Sequence, residues 1–237
     1  MVGVAEARAF ERKGLLLVVS GPSGVGKTTL CKEIRTMVPS LQQSISYTTR
    51  DPRPGEVNGR EYFFVNESGF QAMVAQDEFA EWAVVYGHRY GTPKKILVDM
   101  MKQGLDVLLE IDVQGAMQIK KKFADAVNIY LLPPSITELH ERLNRRAGDA
   151  PDEIIRRLGK ARDEVRNYRQ YDYIVRNTDL KEATRELEAI ITAERLRTTR
   201  LNVAKIEEQV LREFVSQVER GPREAAGQDE REECERR

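Results

Sequence analysis

Gly21-Pro22-Ser23-Gly24-Val25-Gly26-Lys27-Thr28 is the stretch that most narrows what this chain can fold into. It matches G-x-x-x-x-G-K-[ST] at every position. A continuous apolar run, Gly14 to Ser20, precedes it, and an amphipathic segment from about Lys27 to Val38 follows. Strand, glycine-rich turn and helix in that order make a phosphate cradle. The glycines let successive backbone N–H groups curl toward phosphate oxygens, and the helix N-terminus adds partial positive charge. Lys27 supplies a point cation for β- and γ-phosphates. Thr28 offers its hydroxyl to Mg²⁺, and Thr29 continues the donor site into the helix. The motif implies a nucleoside triphosphate and leaves the acceptor open.

The rest of the chain reads as α/β. Asp106–Ile111 and Val127–Leu132 are further buried-strand segments. Helical patterns near Gly115–Phe123 and Ile136–Arg146 alternate with them. That alternation predicts a parallel sheet covered by helices on both faces, a three-layer α/β/α core. Ser44 to Tyr90 differs. Short alternating strands (Ser44–Thr49, Glu61–Val65, Ala83–Tyr86) surround a helix near Ser68–Ala75, so a small mixed subdomain is expected over 44–92. The core then comprises 14–43 and 93–197. Arginine-dense 142–157, with Gly148 and Pro151, reads as a helical lid. From Lys181 helix-like spacing continues nearly to Glu219, which puts a helical extension at 198–220. That extension either folds back on the core or pairs with a second copy in a homo-oligomer. Residues 1–13 read as a lead-in, and 221–237 are charged and poor in apolar side chains, as in a disordered tail.

Composition excludes some partners. Lys plus Arg equals Asp plus Glu, 38 each in 237 residues, so no global field draws the chain to nucleic acid or an anionic membrane. Leu15–Val19 is too short to span a bilayer, and the N-terminus shows no secretory segment. Cys31 and Cys234 have no metal-type spacing and read as reduced thiols. A soluble, cytoplasmic protein is expected. His88 and His140 have no evident catalytic partner.

Downstream of the cradle, Arg50 and Arg53 are held among Pro52, Pro54 and Gly55, with Tyr62 nearby. Each guanidinium can donate a bidentate fork, which suits a phosphate dianion. The longer run Ser46-Tyr47-Thr48-Thr49-Arg50-Asp51-Pro52-Arg53-Pro54-Gly55-Glu56 resembles the guanylate kinase signature. So do Glu81-Trp82-Ala83, Tyr90-Gly91-Thr92 and Glu110-Ile111-Asp112-Val113-Gln114-Gly115. The resemblance covers about residues 14 to 196. It implies an ATP:GMP phosphotransferase of purine nucleotide metabolism, acting also on dGMP, with Mg²⁺ accompanying ATP.

By that resemblance Arg50, Arg53, Tyr62 and Tyr90, with neighbouring Gly91, hold the GMP phosphate. Ser46, Glu81, Thr92 and Asp112 read the guanine. Guanine presents N1–H and N2–H₂ side by side, and a carboxylate such as Glu81 accepts from both. Glu110 and Asp112, two apart at a strand end, share one face and offer an alternative hold on Mg²⁺ through water, or a helix cap. Arg142, Arg146 and Arg157 are implied on the ATP phosphates, with Arg146 and Asn177 on the adenine side. The family's glycine-arginine-glycine lid turn is here Arg145-Arg146-Ala147, a departure at the hinge. Two other readings compete: a non-catalytic binding module of the same fold, and a kinase for another phosphorylated acceptor. The intact Lys27 and Thr28 oppose the first, and Glu81 with Ser46 and Thr92 opposes the second. A regulatory GTPase is disfavoured because no Asn-Lys-x-Asp motif is present.

Overall fold

The computed structural model describes residues 12–145, 159, 164 and 166–219. Arg146 and Arg157, most of the expected lid, Cys234 and the 221–237 tail lie outside them. The chain begins with β1 (Leu16–Ser20), α1 (Lys27–Met37), β2 (Leu41–Gln43), β3 (Tyr47–Thr48) and β4 (Phe63–Phe64). It continues with α2 (Glu67–Ala75), β5 (Phe79–Val85), β6 (His88–Pro93), α3 (Lys94–Lys102) and β7 (Asp106–Glu110). Then come α4 (Val113–Lys122), β8 (Val127–Leu132), α5 (Ile136–Arg145), a 3₁₀ turn (Arg166–Gln170), β9 (Tyr173–Arg176), α6 (Leu180–Arg195) and α7 (Val203–Glu219).

The main sheet has the order β2-β7-β1-β8-β9 with every pairing parallel. β1 lies at its centre and is buried along its whole length. Side chains alternate across a strand, so Leu15, Leu17 and Val19 pack with Leu30 and Ile34 of α1 and Leu187 and Ile191 of α6. Leu16 and Val18 face the other way, into a cluster with Leu97 of α3 and Ala116 and Ile119 of α4. Helices therefore cover both faces, as the α/β alternation predicts.

The 44–92 region forms a second sheet, ordered β4-β3-β6-β5. β5 and β6 make an antiparallel hairpin whose two turn residues, Tyr86 and Gly87, both have positive φ, 51° and 81°. This matches the twist that a two-residue hairpin needs. Phe70 of α2 stacks on Phe79 of β5 at 4.5 Å and anchors the helix to this sheet.

The chain divides into two compact units. Lys13–Leu196 holds both sheets, and the described part of the second unit is Arg12 with residues 197–219. In the second unit Arg12 forms an antiparallel bridge with Leu201, and α7 follows. The expected continuous helix from Lys181 is therefore two helices, interrupted at 196–202. Thr198, Thr199 and Asn202 are weak in a helix interior because their short polar side chains compete for backbone groups. Among the described residues, no helix is long and apolar enough to cross a membrane.

Asp106 ties the start of the sheet to α6. Its side chain is 1% exposed. It accepts from the Leu15 N–H at 2.9 Å and from Arg195 Nε at 2.8 Å. Removing the carboxylate strands a buried backbone donor and leaves a three-quarters-covered guanidinium (25% exposed) without its counter-charge, with Ser40 Oγ still accepting from it. Asp106→Ala is expected to lower unfolding free energy by about 3 kcal/mol in urea titration. A loss below about 0.5 kcal/mol, as at ordinary surface positions, would contradict this.

Candidate active site

The cradle forms where β1 leaves the sheet. Gly21, Gly24 and Gly26 take φ of 145°, 83° and 103°, which L side chains rarely adopt. A Cβ on Gly21 would lie 2.4 Å from Leu131 O, and one on Gly26 2.4 Å from Asn177 Nδ2. α1 then starts at Lys27 with no side-chain cap. By contrast, Asn66, Asp112 and Asp179 cap α2, α4 and α6. The first N–H groups of α1 thus lack a side-chain acceptor and can take a phosphate oxygen.

Lys27 Nζ donates to Gly21 O at 2.7 Å and Pro22 O at 3.1 Å, which holds the ammonium in the loop. Burial lowers its pKa, and the negative charges of Glu110, Glu164 and Asp112 oppose that shift. Thr28 Oγ1 donates to Glu110 Oε1 at the end of β7. This hydroxyl–carboxylate pair is a hard-oxygen donor set of the type Mg²⁺ takes alongside phosphate and water oxygens. Val25 O accepts from Asn177 Nδ2 at 2.7 Å and from Arg142 Nη1 at 3.1 Å. Asn177 and Arg142 therefore both sit on the loop, and Arg142 is also paired with Glu138 at 2.6 Å. With Gly24, Gly26 and Thr29 they line a cavity of about 320 Å³.

A larger cleft, about 760 Å³, brings the remaining expected residues together. Gly21, Ser23, Lys27 and Thr28 line it from the loop. Ser46, Arg50, Arg53, Tyr62, Tyr90 and Glu81 line it from the second sheet, and Glu110 and Asp112 from the main sheet. Pro22 and Val25 shape the loop from outside that lining. Gly91 and Thr92 lie behind it. Gly91 leaves room for Phe79, whose ring would be 2.7 Å from a Cβ there. Thr92 is fully buried and donates to Glu81 Oε1 at 2.5 Å.

Glu81 is 3% exposed. Burial raises its pKa to about 7. The Thr92 hydrogen bond pulls the other way, and the Asp112 charge adds to the rise. It is a carboxylate poised between protonated and ionised near neutrality. Asp112 caps α4, accepting from Gly115 N at 2.9 Å and Gln114 Nε2 at 3.1 Å, while still facing the cleft. The cap alternative for this residue is thus realised in the structure.

The arginine corner is not a bare cation. Glu56 accepts from Arg50 Nη2 through both oxygens, at 2.9 and 2.8 Å, and from Arg53 N at 2.8 Å. The Arg50 guanidinium also lies 5.6 Å from the Tyr62 ring centroid. Burial pushes the Tyr62 hydroxyl up to about 12, so it stays a donor at neutral pH. Glu56 belongs to the quoted motif but was not expected in the site. The signal was an acid six residues after Arg50 within a Pro/Gly turn, where the chain doubles back. Glu164, also unexpected, lines the cleft as well. Cys31 lines it too, but burial pushes its thiol well above the ordinary value, so it is not a poised nucleophile. His88 does not line the cleft, and both His88 and His140 are exposed.

Comparison with known proteins identifies the family. The family model described as guanylate kinase matches residues 13–194. The guanylate kinase of Carboxydothermus hydrogenoformans is 50% identical over 190 residues, 80% of this chain and 93% of that protein. That of Geobacter sulfurreducens is 49% identical, covering 81% and 95%. The crystal structure of guanylate kinase from Anaplasma phagocytophilum superposes with a TM-score of 0.70 at 32% identity, covering 81% of this chain and 92% of that one. With the family model matched over residues 13–194 and two bacterial relatives about half identical over four-fifths of its length, this chain belongs to the guanylate kinase family.

Proposed function

We propose that this chain transfers the γ-phosphoryl group of ATP to GMP, and to dGMP, giving ADP and the corresponding diphosphate. One observation carries the reading: a single cleft is lined both by the loop bearing Lys27 and by Arg50, Tyr62, Tyr90 and Glu81. The ATP triphosphate takes the N–H groups at the start of α1, with Lys27 on its β- and γ-oxygens. Arg50, Arg53, Tyr62 and Tyr90 take the GMP phosphate, and Ser46, Glu81 and Asp112 face the guanine. Asn177 and Arg142 border the donor base. Arg146 and Arg157 are assigned to the ATP phosphates by resemblance alone.

The acceptor oxygen is already largely anionic at neutral pH, since a phosphate monoester has its second pKa near 6. No general base is required. The difficulty is bringing two polyanions together, so positioning and charge neutralisation do most of the catalysis. Mg²⁺, when bound through Thr28 and Glu110, offsets negative charge on the transferring phosphates. Binding GMP replaces Arg50's internal carboxylate partner, Glu56, with a phosphate or adds the phosphate beside it. In either case the guanidinium is oriented in advance.

ADP formation should be measured with GMP, dGMP, AMP, UMP and a sugar bisphosphate, with and without Mg²⁺. GMP and dGMP should exceed the others by about 100-fold or more in kcat/KM, and activity should require Mg²⁺. Comparable use of AMP would overturn the reading. Lys27→Ala should reduce kcat by about 100-fold or more without lowering the unfolding midpoint, because only a desolvated ammonium is lost. Normal turnover would remove Lys27 from the chemistry.

Glu81 gives a pH signature. Its folded pKa of about 7 lies above the ordinary value of 4.5. The protonated form therefore favours the folded state below about pH 4.5, and that contribution is lost as pH rises through about 7. Guanine needs the ionised form, so GMP affinity should rise over the same upper range. Between pH 6 and 8 the ionised fraction grows about tenfold, and GMP Kd should fall accordingly. Glu81→Gln removes this component and leaves the part due to the GMP phosphate. Identical pH profiles for the two proteins would contradict the assignment.

A further inference from the structure

We propose that Gly115 is a specificity-determining position: its bare backbone, in the first turn of α4, is the seat that lets the Glu81 carboxylate face the guanine. The proposal rests on Glu81 reading the base. A Cβ built on Gly115 would lie 2.3 Å from Glu81 Oε2 and 2.9 Å from its Cδ. No backbone conformation calls for glycine here, because Gly115 is not among the residues with positive φ. Glycine is also a poorer helix former than alanine. What its presence provides is space, and the carboxylate fills that space.

The partners around the carboxylate decide what yields if the space is closed. Gly115, Gln118 and Lys122 recur at spacings of three and four, so they lie on one face of α4. That face meets β5, the edge strand of the second sheet. Gln118 grips Trp82 on both sides: its Nε2 donates to Trp82 O at 2.7 Å, and its Oε1 accepts from Trp82 N at 3.3 Å. Lys122 Nζ donates to Ala80 O at 2.8 Å. The two neighbours of Glu81 are thus clipped to α4, and the strand is held against moving away from a new methyl group. The carboxylate is the far end of a flexible side chain and is the part that gives way. Rotating it off the seat also breaks the Thr92 hydrogen bond. The fold survives, and the guanine loses its acceptor.

The test is a double-mutant cycle of wild type, Gly115→Ala, Glu81→Ala and the double variant. Each is assayed for GMP and AMP kinetics, GMP and ATP affinity by calorimetry, and unfolding midpoint. Gly115→Ala should raise GMP KM and Kd about tenfold or more and erode GMP-over-AMP preference. It should leave ATP affinity within about twofold and the unfolding midpoint unchanged or higher. In the Glu81→Ala background the same substitution should cost nothing, because the atom it would displace is gone. Two results would overturn the proposal alone: wild-type GMP preference in Gly115→Ala, or an equal loss in both backgrounds. A Glu81→Ala protein that still prefers GMP would overturn the base-reading role itself, and this proposal with it.

Discussion

β1 is buried on both faces, and its last residue runs into a turn whose glycines alone can follow it. The turn delivers α1 with its first N–H groups uncapped. Three of the other helices close this end with an Asn or Asp side chain. Leaving it open sacrifices local stability and creates a place where anionic oxygen is favourable. The rest of the site is arranged around that end. β7 brings Glu110 to Thr28, and the loop after β9 brings Asn177 to Val25.

The same frame keeps charges in an environment they resist. Lys27 is desolvated enough that its pKa falls, and Glu81 enough that its pKa rises. Each is held by uncharged neighbours: loop carbonyls for Lys27, the hydroxyl and backbone of Thr92 for Glu81. A triphosphate offers the ammonium a counter-charge, and guanine offers the carboxylate two donors. On the proposed function, the preference for these ligands is built into groups already removed from water, where an unpaired polar atom is costly. Arg50 is treated differently. Glu56 neutralises it in advance and fixes its direction.

Much of the frame was legible in the sequence because burial writes itself plainly into it. β1, β7 and β8 are apolar runs, since a central parallel strand has no wet face, and the glycine motif locates the turn between β1 and α1. Less legible was whatever tertiary pairing creates. β6 contains Gly91 and ends at Pro93. It becomes a strand because β3 pairs with it on one side and β5 on the other, the latter across Tyr86, a bulky residue held at φ 51°. The α6–α7 break carries neither Gly nor Pro, so the periodicity runs through it. Among the residues that line the cleft, the motif pointed to Arg50, Tyr62 and Glu81. Glu56 was signalled only by its place in the Pro/Gly turn six residues after Arg50, and nothing in the motif hinted that Gly115 and Gln118, a helix away in sequence, would frame Glu81.

The proposed function requires one geometry: guanine monophosphate in the cleft with its phosphate toward Arg50 and Tyr62 and its base edge on Glu81, facing the loop of Lys27. A crystal structure with GMP and ADP bound together tests it most directly. The expected result places guanine N1 and N2 within hydrogen-bond distance of the Glu81 carboxylate, with the ADP β-phosphate on the α1 N-terminus. GMP bound elsewhere, or bound with its base edge turned away from Glu81, would contradict it.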